Sequence, residues 1–259
     1  MVNGFAFFKK ELRAIIRTYR IWLVPLIFIF FGILSPVSAK FTPALLKSAM
    51  QSGGTAGMRI TIPDPTEVDS YGQWLKNLSQ LGTLAVILLS MGLVADEKAR
   101  GTLAIIVTKP VSKMEVVLSK LAAQSGLIVA SMSLGTGACL LYTYLLFNKA
   151  TAGPLFLSTL AFGIFILAVL AVTLLFSTVF KSPIAAGGMG LLSYFALLVL
   201  SGFGHGLDKY TPGALLAYAA KMAAGAEDFS PAYPAAAITL ALSAAAVRLA
   251  VYILNRQEI

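Results

Sequence analysis

Six long apolar segments divide the sequence and leave little room for any fold other than a membrane bundle. A helix rises about 1.5 Å per residue, so about 20 apolar residues cross the roughly 30 Å hydrocarbon core of a bilayer. Only 12% of the 259 residues are charged, too few to cover a soluble globule. We therefore predict one all-α transmembrane domain over residues 1–259. Its predicted transmembrane helices are residues 22–39, 74–94, 121–147, 154–180, 183–203 and 231–254.

The distribution of basic residues predicts the orientation of the chain. Most of the 20 lysines and arginines lie in the two terminal segments and in the segment between the second and third helices. Loops rich in lysine and arginine stay on the cytoplasmic side. We therefore predict a multi-pass protein of the plasma membrane with both termini cytoplasmic. The long external loops are then about residues 40–73 and 204–230.

The first apolar segment could also be interpreted as part of a signal peptide. Val37, Ser38 and Ala39 resemble a cleavage site that follows an apolar run. However, a long basic region precedes this segment and five further apolar segments follow it. We therefore expect the segment to remain in the protein as a membrane helix.

An amphipathic helix is predicted over residues 1–20, before the first transmembrane segment. Apolar residues recur at spacings of three and four along it, and basic residues occupy the other side. Such a helix lies in the headgroup plane with its basic face on anionic lipid. It is either a topology anchor or an elbow helix that also contributes to a docking surface for a cytoplasmic partner. The apolar residues are Phe5, Phe8, Leu12, Ile15, Ile16 and Tyr19, and the basic residues are Lys9, Lys10, Arg13, Arg17 and Arg20.

The segment between the second and third predicted helices, residues 95–120, is too long and too patterned for a simple connector. Ser112 and Glu115 match the S-x-x-E capping box, which marks a helix start. Pro110 disfavours helix in the residue before it. We therefore predict one helix from Arg100 to about Thr108 and a second helix that starts after Ser112.

An apolar stripe is predicted on the second of these helices. Met114, Val117 and Leu118 fall at spacings of three and four. A helix over residues 112–118 is too short to be stable alone in water, so its apolar stripe must pack against another surface. That surface is either a partner protein or the lipid bilayer.

Two stretches of the sequence resemble the permease subunits of ABC-2 type transporters. One is Pro-Asp-Pro-Thr … Gln-Trp-Leu-Lys-Asn-Leu-Ser-Gln-Leu-Gly, within residues 63–82. The other is Asp-Glu-Lys … Gly-Thr-Leu … Lys-Pro-Val-Ser … Leu-Ser-Lys, within residues 96–120. The six-helix plan and the amphipathic N-terminus are similar to the family over the whole chain, whereas the sequence motifs lie between residues 63 and 120.

The resemblance implies a permease that moves its substrate by alternating access and pairs with a separate ATP-binding subunit. ATP and Mg²⁺ would be bound by that partner, and the sequence contains no G-x-x-x-x-G-K-[ST] phosphate loop. We expect no catalytic residue, cofactor or metal in this chain. The expected partners are the ATPase, the lipid bilayer and a second copy or related permease in a dimer, with no nucleic acid.

In the family, the loop between helices two and three contacts the ATPase. The resemblance therefore implies a coupling role for the patterned residues of this segment. These residues are Glu97, Arg100, Pro110, Ser112, Met114, Glu115, Val117 and Leu118.

Two charged residues have alternative interpretations. Glu97 is either a solvated or locally paired carboxylate, beside Lys98 and Arg100, or a contact that orients the coupling loop. Arg248 lies inside the last apolar segment. Its side chain can reach back to the cytoplasmic headgroups, or it can serve a function within the membrane.

Other classes of membrane protein remain as alternatives to a permease. A scaffold would need no chemistry, whereas an intramembrane enzyme would need polar groups that converge inside the helices. Apart from Arg248 and hydroxyl groups, the predicted helices contain no such groups. An ion channel would need a ring of acidic residues or a filter-like loop, and the sequence indicates neither.

Overall fold

The computed structural model describes residues 4–52, 64–102, 112–202, 209–226 and 229–257. Within these ranges the regular structure is helical, with no strand. A π-helical segment, Leu78–Gly82, joins the third helix to the fourth. The helices are α1 (Gly4–Ile16), α2 (Arg20–Ser52), α3 (Glu67–Asn77), α4 (Thr83–Ser90), α5 (Ala95–Ala99), α6 (Lys113–Phe147), α7 (Ala152–Val179), α8 (Pro183–Gly202), α9 (Ala214–Ala223) and α10 (Ala232–Arg256).

Six of these helical stretches are long and apolar enough to cross a membrane. This confirms the predicted all-α class with six spans. The second span is not one regular helix but runs through α3, the π-helical segment, α4 and α5. The spans are Arg20–Leu45, Glu67–Ala99, Lys113–Phe147, Ala152–Val179, Pro183–Ser201 and Ala232–Arg256.

Helix α2 extends well beyond the predicted segment 22–39, although it contains three prolines. A proline removes one helical hydrogen bond, and a helix in an apolar bundle continues because its other backbone groups need partners. The prediction ended at Lys40 because a charge usually marks the membrane surface. In the structure Lys40 Nζ donates to the carbonyl of Leu146, 2.6 Å away, so this charge lies beside the last turn of α6.

Helix α7 lies at the centre of the bundle. In α7, 61% of the residues in the most apolar stretch are buried, compared with 22% in α8 and 22% in α10. Helices α8, α9 and α10 all pack against α7, while α2 packs mainly on α6. The largest fully buried side chains lie on α2, α3 and α7: Phe28, Tyr71, Trp74, Phe162 and Phe165.

Helix α6 begins eight residues before the predicted third transmembrane segment, 121–147. The predicted short helix 112–118 is therefore wrong as a separate element, because it forms the first two turns of a 35-residue helix. The capping box starts a helix, and no proline follows to end it before Phe147. The predicted loop 95–120 is correspondingly shorter.

The predicted helix from Arg100 is also wrong at its start. Arg100 is the C-terminal cap of α5, and Gly101 has a positive φ of 68°. A positive φ is typical of the residue that ends a helix, and glycine adopts it without strain. Residues 103–108 of that predicted helix, together with Pro110, lie outside the described residues.

The predicted external loop 204–230 contains an additional helix, α9. Its buried residues include Leu215, Ala219 and Met222, and it packs against α7. A ten-residue apolar helix is too short to cross a bilayer. The sequence therefore did not distinguish it from a connecting loop.

Candidate functional site

The site is at the end of the bundle that holds α1, α5, the start of α6 and the end of α10. We call it the basic end, because the sequence places most of its lysines and arginines there. Helix α1 packs against α6 at this end, and its inner face buries Phe7 and Ile15, with Glu11 between them. These residues are four apart and therefore lie on one face of the helix.

The outer surface of α1 differs from the predicted two-sided pattern. Of the predicted apolar face, Ile15 is buried, whereas Leu12, Ile16 and Tyr19 are exposed. The helix therefore has three faces: one packed on α6, one apolar and exposed, and one basic. The basic face is formed by the exposed residues Lys9, Lys10 and Arg13. The helix ends at Ile16, before the predicted end at residue 20, so Arg17 lies in the turn that follows and Arg20 already starts α2.

A cluster of four charged side chains connects α1, α5 and α6. Lys120 Nζ lies 2.8 Å from Glu97 Oε1 and 3.4 Å from Glu11 Oε1, and its side chain is only 3% exposed. Lys10 Nζ completes the group, 3.2 Å from Glu11 and 3.8 Å from Glu97. Two cations thus face two carboxylates. We call Lys10, Glu11, Glu97 and Lys120 the charged cluster.

The charged cluster shows which residues pair with Glu97. The ion pairs of Glu97 are with Lys120 of α6 and Lys10 of α1, and not with its sequence neighbours. Lys98 instead donates to the carbonyl of Thr178 at the end of α7. Arg100 is exposed beyond the end of α5. Glu97 therefore connects distant elements, and its pairing is not local.

The turn between α4 and α5 is fastened to α7 by one hydroxyl group. Ser177 Oγ donates to the carbonyl of Met91 at 2.8 Å and accepts from the backbone N–H groups of Val94 and Ala95, each at 3.0 Å. A break in a helix leaves backbone groups without partners, and in a buried site such groups are costly. Ser177 supplies these partners and fixes the position of α5.

The start of α6 has the predicted capping box. The N–H of Glu115 donates to Ser112 Oγ at 3.1 Å, and the N–H of Ser112 donates to Glu115 Oε2 at 3.2 Å. Next to this cap, Lys113 Nζ donates to the carbonyls of Leu254, Asn255 and Gln257. A cation is favourable at a helix C-terminus, so Lys113 joins the start of α6 to the end of α10.

The predicted apolar stripe of α6 is divided between two environments. Val117 is fully buried, whereas Met114 is 55% exposed and Leu118 is 39% exposed. Met114 and Leu118 are four residues apart and share one face. Val117 belongs to the core and must be removed from the predicted contact surface.

Sequence reasoning missed Glu11, Lys120, Gln124 and Ser177. A signal existed for two of them, because Lys120 and Gln124 are polar, four residues apart and followed by a long apolar run. Residues with this spacing lie on one helix face. The partners of Lys120 lie 23 and 109 residues away, and no local pattern indicates pairs at such separations.

Inside the bundle, polar side chains are paired between helices. Ser70 and Thr143 hydroxyls lie 2.6 Å apart, Trp74 Nε1 donates to Thr159 Oγ1 at 3.3 Å, and Asn77 Nδ2 donates to Ser35 Oγ at 2.9 Å. Such bonds hold membrane helices together. The described residues contain no group of three or more histidine, cysteine, aspartate or glutamate side chains that could hold a metal ion.

The six spans, the helix beside their basic end and the paired interior define a polytopic α-helical membrane protein. A family model described as "ABC-2 family transporter protein" matches residues 5–257, and the chain belongs to this family. The chain is also similar to the uncharacterized transmembrane protein YxlG of Bacillus subtilis (strain 168). The two are 28% identical over 173 residues, which cover 66% of this chain and 65% of that protein.

Proposed function

We propose that this chain is the membrane-spanning permease subunit of an ATP-driven transporter, powered by a separate ATP-binding subunit through alternating access. Family membership supports transport, and the absence of a phosphate-loop motif from the 259 residues supports a separate ATPase. ATP and Mg²⁺ would then be bound by the partner. The basic end faces the cytoplasm of a plasma-membrane protein in this proposal, and a second permease completes a dimer.

The observation that carries the proposal is the exposed start of α6. At about 1.5 Å per residue, its 35 residues give a helix roughly 50 Å long, whereas a bilayer with its headgroups is about 40–45 Å thick. Tyr142, Tyr144 and Phe147 suit an interfacial belt at the far end. The excess length therefore lies at the start of the helix, where Met114 and Leu118 are exposed.

The contacts around this start supply a mechanism of coupling. The charged cluster connects α6 to α1 and α5 through Lys120, and Lys113 connects α6 to α10. A partner that displaces the first turns of α6 would therefore move three neighbouring elements with it. In this mechanism Ser112 and Glu115 hold the helix start, Glu97 transmits the displacement and Arg100 offers an exposed cation.

The contact surface is tested with a paired substitution and a matched control. Met114→Asp with Leu118→Asp places two charges on the exposed face without touching the buried Val117. Ile184→Asp makes the same change at a residue that is 79% exposed, near the start of α8 at the same end. The chain is affinity-purified from its native membranes, and any ATP-binding cassette subunit is identified by mass spectrometry.

We expect an ATP-binding subunit to co-purify with the native chain and with the Ile184→Asp variant, and to be lost from the double variant. Each fully buried Met or Leu contributes roughly 1.5–3 kcal/mol, so two charges in the contact suffice to abolish a complex. If no ATP-binding subunit accompanies the native chain, the permease proposal fails. If the double variant retains its partner, the ATPase binds elsewhere.

A further inference from the structure

A polar cleft of about 400 Å³ opens at the basic end between α1, α5 and α6. A cleft of this volume is in the range of small-molecule sites. It is bordered by Thr18 in the turn between α1 and α2, by Arg20 at the start of α2, and by Asp96 and Arg100 at the two ends of α5. Three members of the charged cluster, together with Thr102 and Gln124, complete the polar lining.

Gln124 is the unusual residue of this cleft. It is only 1% exposed, yet neither Nε2 nor Oε1 has a hydrogen-bond partner among the described residues. Glu97 Oε2 is likewise buried and unpartnered there. A buried polar group without a partner costs about 1–3 kcal/mol. The cleft therefore contains one donor group and two acceptor atoms that a bound polar ligand can satisfy.

The charges of the lining indicate what kind of ligand fits. Lys120 is neutralised by Glu11 and Glu97 within the charged cluster. Arg20, Asp96 and Arg100 form no ion pair with a described residue. The cleft is therefore lined by two cations, one carboxylate and the free oxygen of Glu97. This lining suits a ligand with both an anionic and a cationic group.

The position of the cleft favours a lipid over a soluble ligand. It lies beside α1, which carries the exposed apolar residues Leu12 and Ile16, and its own lining includes the apolar residues Ile15, Leu93 and Ala123. An amphipathic helix of this kind lies at the boundary between headgroups and acyl chains. A headgroup in the cleft would therefore lie at the depth of the bilayer headgroups, and its acyl chains would extend from the cleft into the membrane.

We propose that the cleft binds the headgroup of a phospholipid that carries a primary ammonium group, such as phosphatidylethanolamine. The phosphodiester is assigned to Arg20 and Arg100, because guanidinium groups bind phosphate oxygens in a bidentate manner. The ammonium is assigned to Asp96 and Glu97 Oε2, which can accept its N–H donors. The amide of Gln124 can donate from Nε2 to a phosphate oxygen and accept an ammonium N–H at Oε1.

Lipid selectivity tests the assignment and needs no ATPase, so its outcome is independent of the proposed function. The purified full chain is delipidated and titrated in detergent with phosphatidylethanolamine, phosphatidylcholine or phosphatidylglycerol, and bound lipid is counted by native mass spectrometry. We expect phosphatidylethanolamine to bind about tenfold more tightly than the other two lipids. The trimethylated choline headgroup has no N–H donor, and the glycerol headgroup has no cation.

Equal binding of the three lipids, or stronger binding of phosphatidylglycerol, would overturn the proposal. A second arm adds soluble glycerophosphoethanolamine, which has the same headgroup chemistry without acyl chains. Displacement of the lipid by an equal concentration of this compound would show that the ligand is soluble and would overturn the assignment to a lipid.

Two substitutions test whether the lipid binds in this cleft. Asp96→Asn removes the carboxylate assigned to the ammonium, and it should abolish the preference for phosphatidylethanolamine over phosphatidylcholine. Gln124→Leu should weaken phosphatidylethanolamine binding severalfold, while Gln80→Leu, at an exposed glutamine of the π-helical segment, should not. If both cleft variants retain the native preference with an unchanged melting temperature, the lipid does not bind here.

Discussion

Lys120 Nζ lies 2.8 Å from Glu97 Oε1, and the lysine side chain is 3% exposed. Glu11 lies on its other side at 3.4 Å. A buried ion pair adds little net stability, because desolvation offsets the attraction, but removal of one partner leaves an uncompensated charge. The pair therefore fixes the positions of α1, α5 and α6 relative to one another more than it strengthens the bundle.

We predict that Lys120→Met destabilises the chain by about 3–5 kcal/mol, measured as a lower thermal midpoint by circular dichroism in detergent. Lys120→Met with Glu97→Gln should be less destabilising than the sum of the single changes. Lys149→Met is the matched control, because Lys149 pairs with Glu67 at 3.1 Å but is 76% exposed. An exposed pair of this kind contributes little. Equal losses for the two lysine variants would contradict the role of burial.

The contact between α2 and α6 yields a second prediction. A Cβ atom on Gly135 would lie 2.7 Å from both Phe28 O and Trp74 Cη2, whereas one on Gly137 would meet nothing within 4 Å. Gly135→Ala should therefore lower stability by about 1–3 kcal/mol through overpacking. Gly137→Ala, two residues along the same helix, should be neutral or slightly stabilising. The comparison of their melting temperatures checks the contact, and similar values would rule it out.

The general plan of the fold is predictable from the sequence because it depends on local patterns. Hydropathy alone locates six spans, and the spacing of Ser112 and Glu115 alone locates the start of α6. Their lengths were less predictable, because Lys40 and Lys120 look like surface charges in the sequence. In the structure, Lys40 contacts a helix end and Lys120 is buried in ion pairs, so neither residue ends a helix.

The candidate site was predictable only in part, because its contacts join residues far apart in the chain. The capping box depends on two residues three positions apart, whereas Lys120 pairs with Glu11, 109 residues away. The stripe of Met114, Val117 and Leu118 was correct in period but not in exposure. Periodicity places residues on one helix face, but it does not show where a neighbouring helix covers that face.

The turn between α4 and α5 gives a third prediction. Ser177→Ala removes the hydroxyl that bonds the backbone of Met91, Val94 and Ala95. Buried backbone groups left without partners cost about 1–3 kcal/mol each. Hydrogen exchange measured by mass spectrometry should therefore become faster over residues 91–99. Ser131→Ala is the matched control, since Ser131 is equally buried but its hydroxyl bonds Leu127 O in its own helix and no other described residue. Faster exchange in both variants, or in neither, would contradict this role for Ser177.

The last prediction concerns orientation, which rests on the asymmetry of basic residues. Lys149 and Lys181 are exposed lysines at opposite ends of α7. We predict that Lys149 is external and Lys181 is cytoplasmic. An impermeant thiol reagent applied to intact cells should therefore label Lys149→Cys and not Lys181→Cys. After the cells are permeabilised, both variants should be labelled.

The native chain is its own control in this experiment. Its single cysteine, Cys139, is fully buried, so the unsubstituted protein should give little background. The two substitutions change the same residue type at the two ends of one helix, so a difference in labelling reports the side of the membrane. Labelling of Lys181→Cys alone in intact cells would reverse the orientation. The basic end, with its charged cluster and the exposed face of Met114 and Leu118, would then be external and out of reach of any cytoplasmic ATPase.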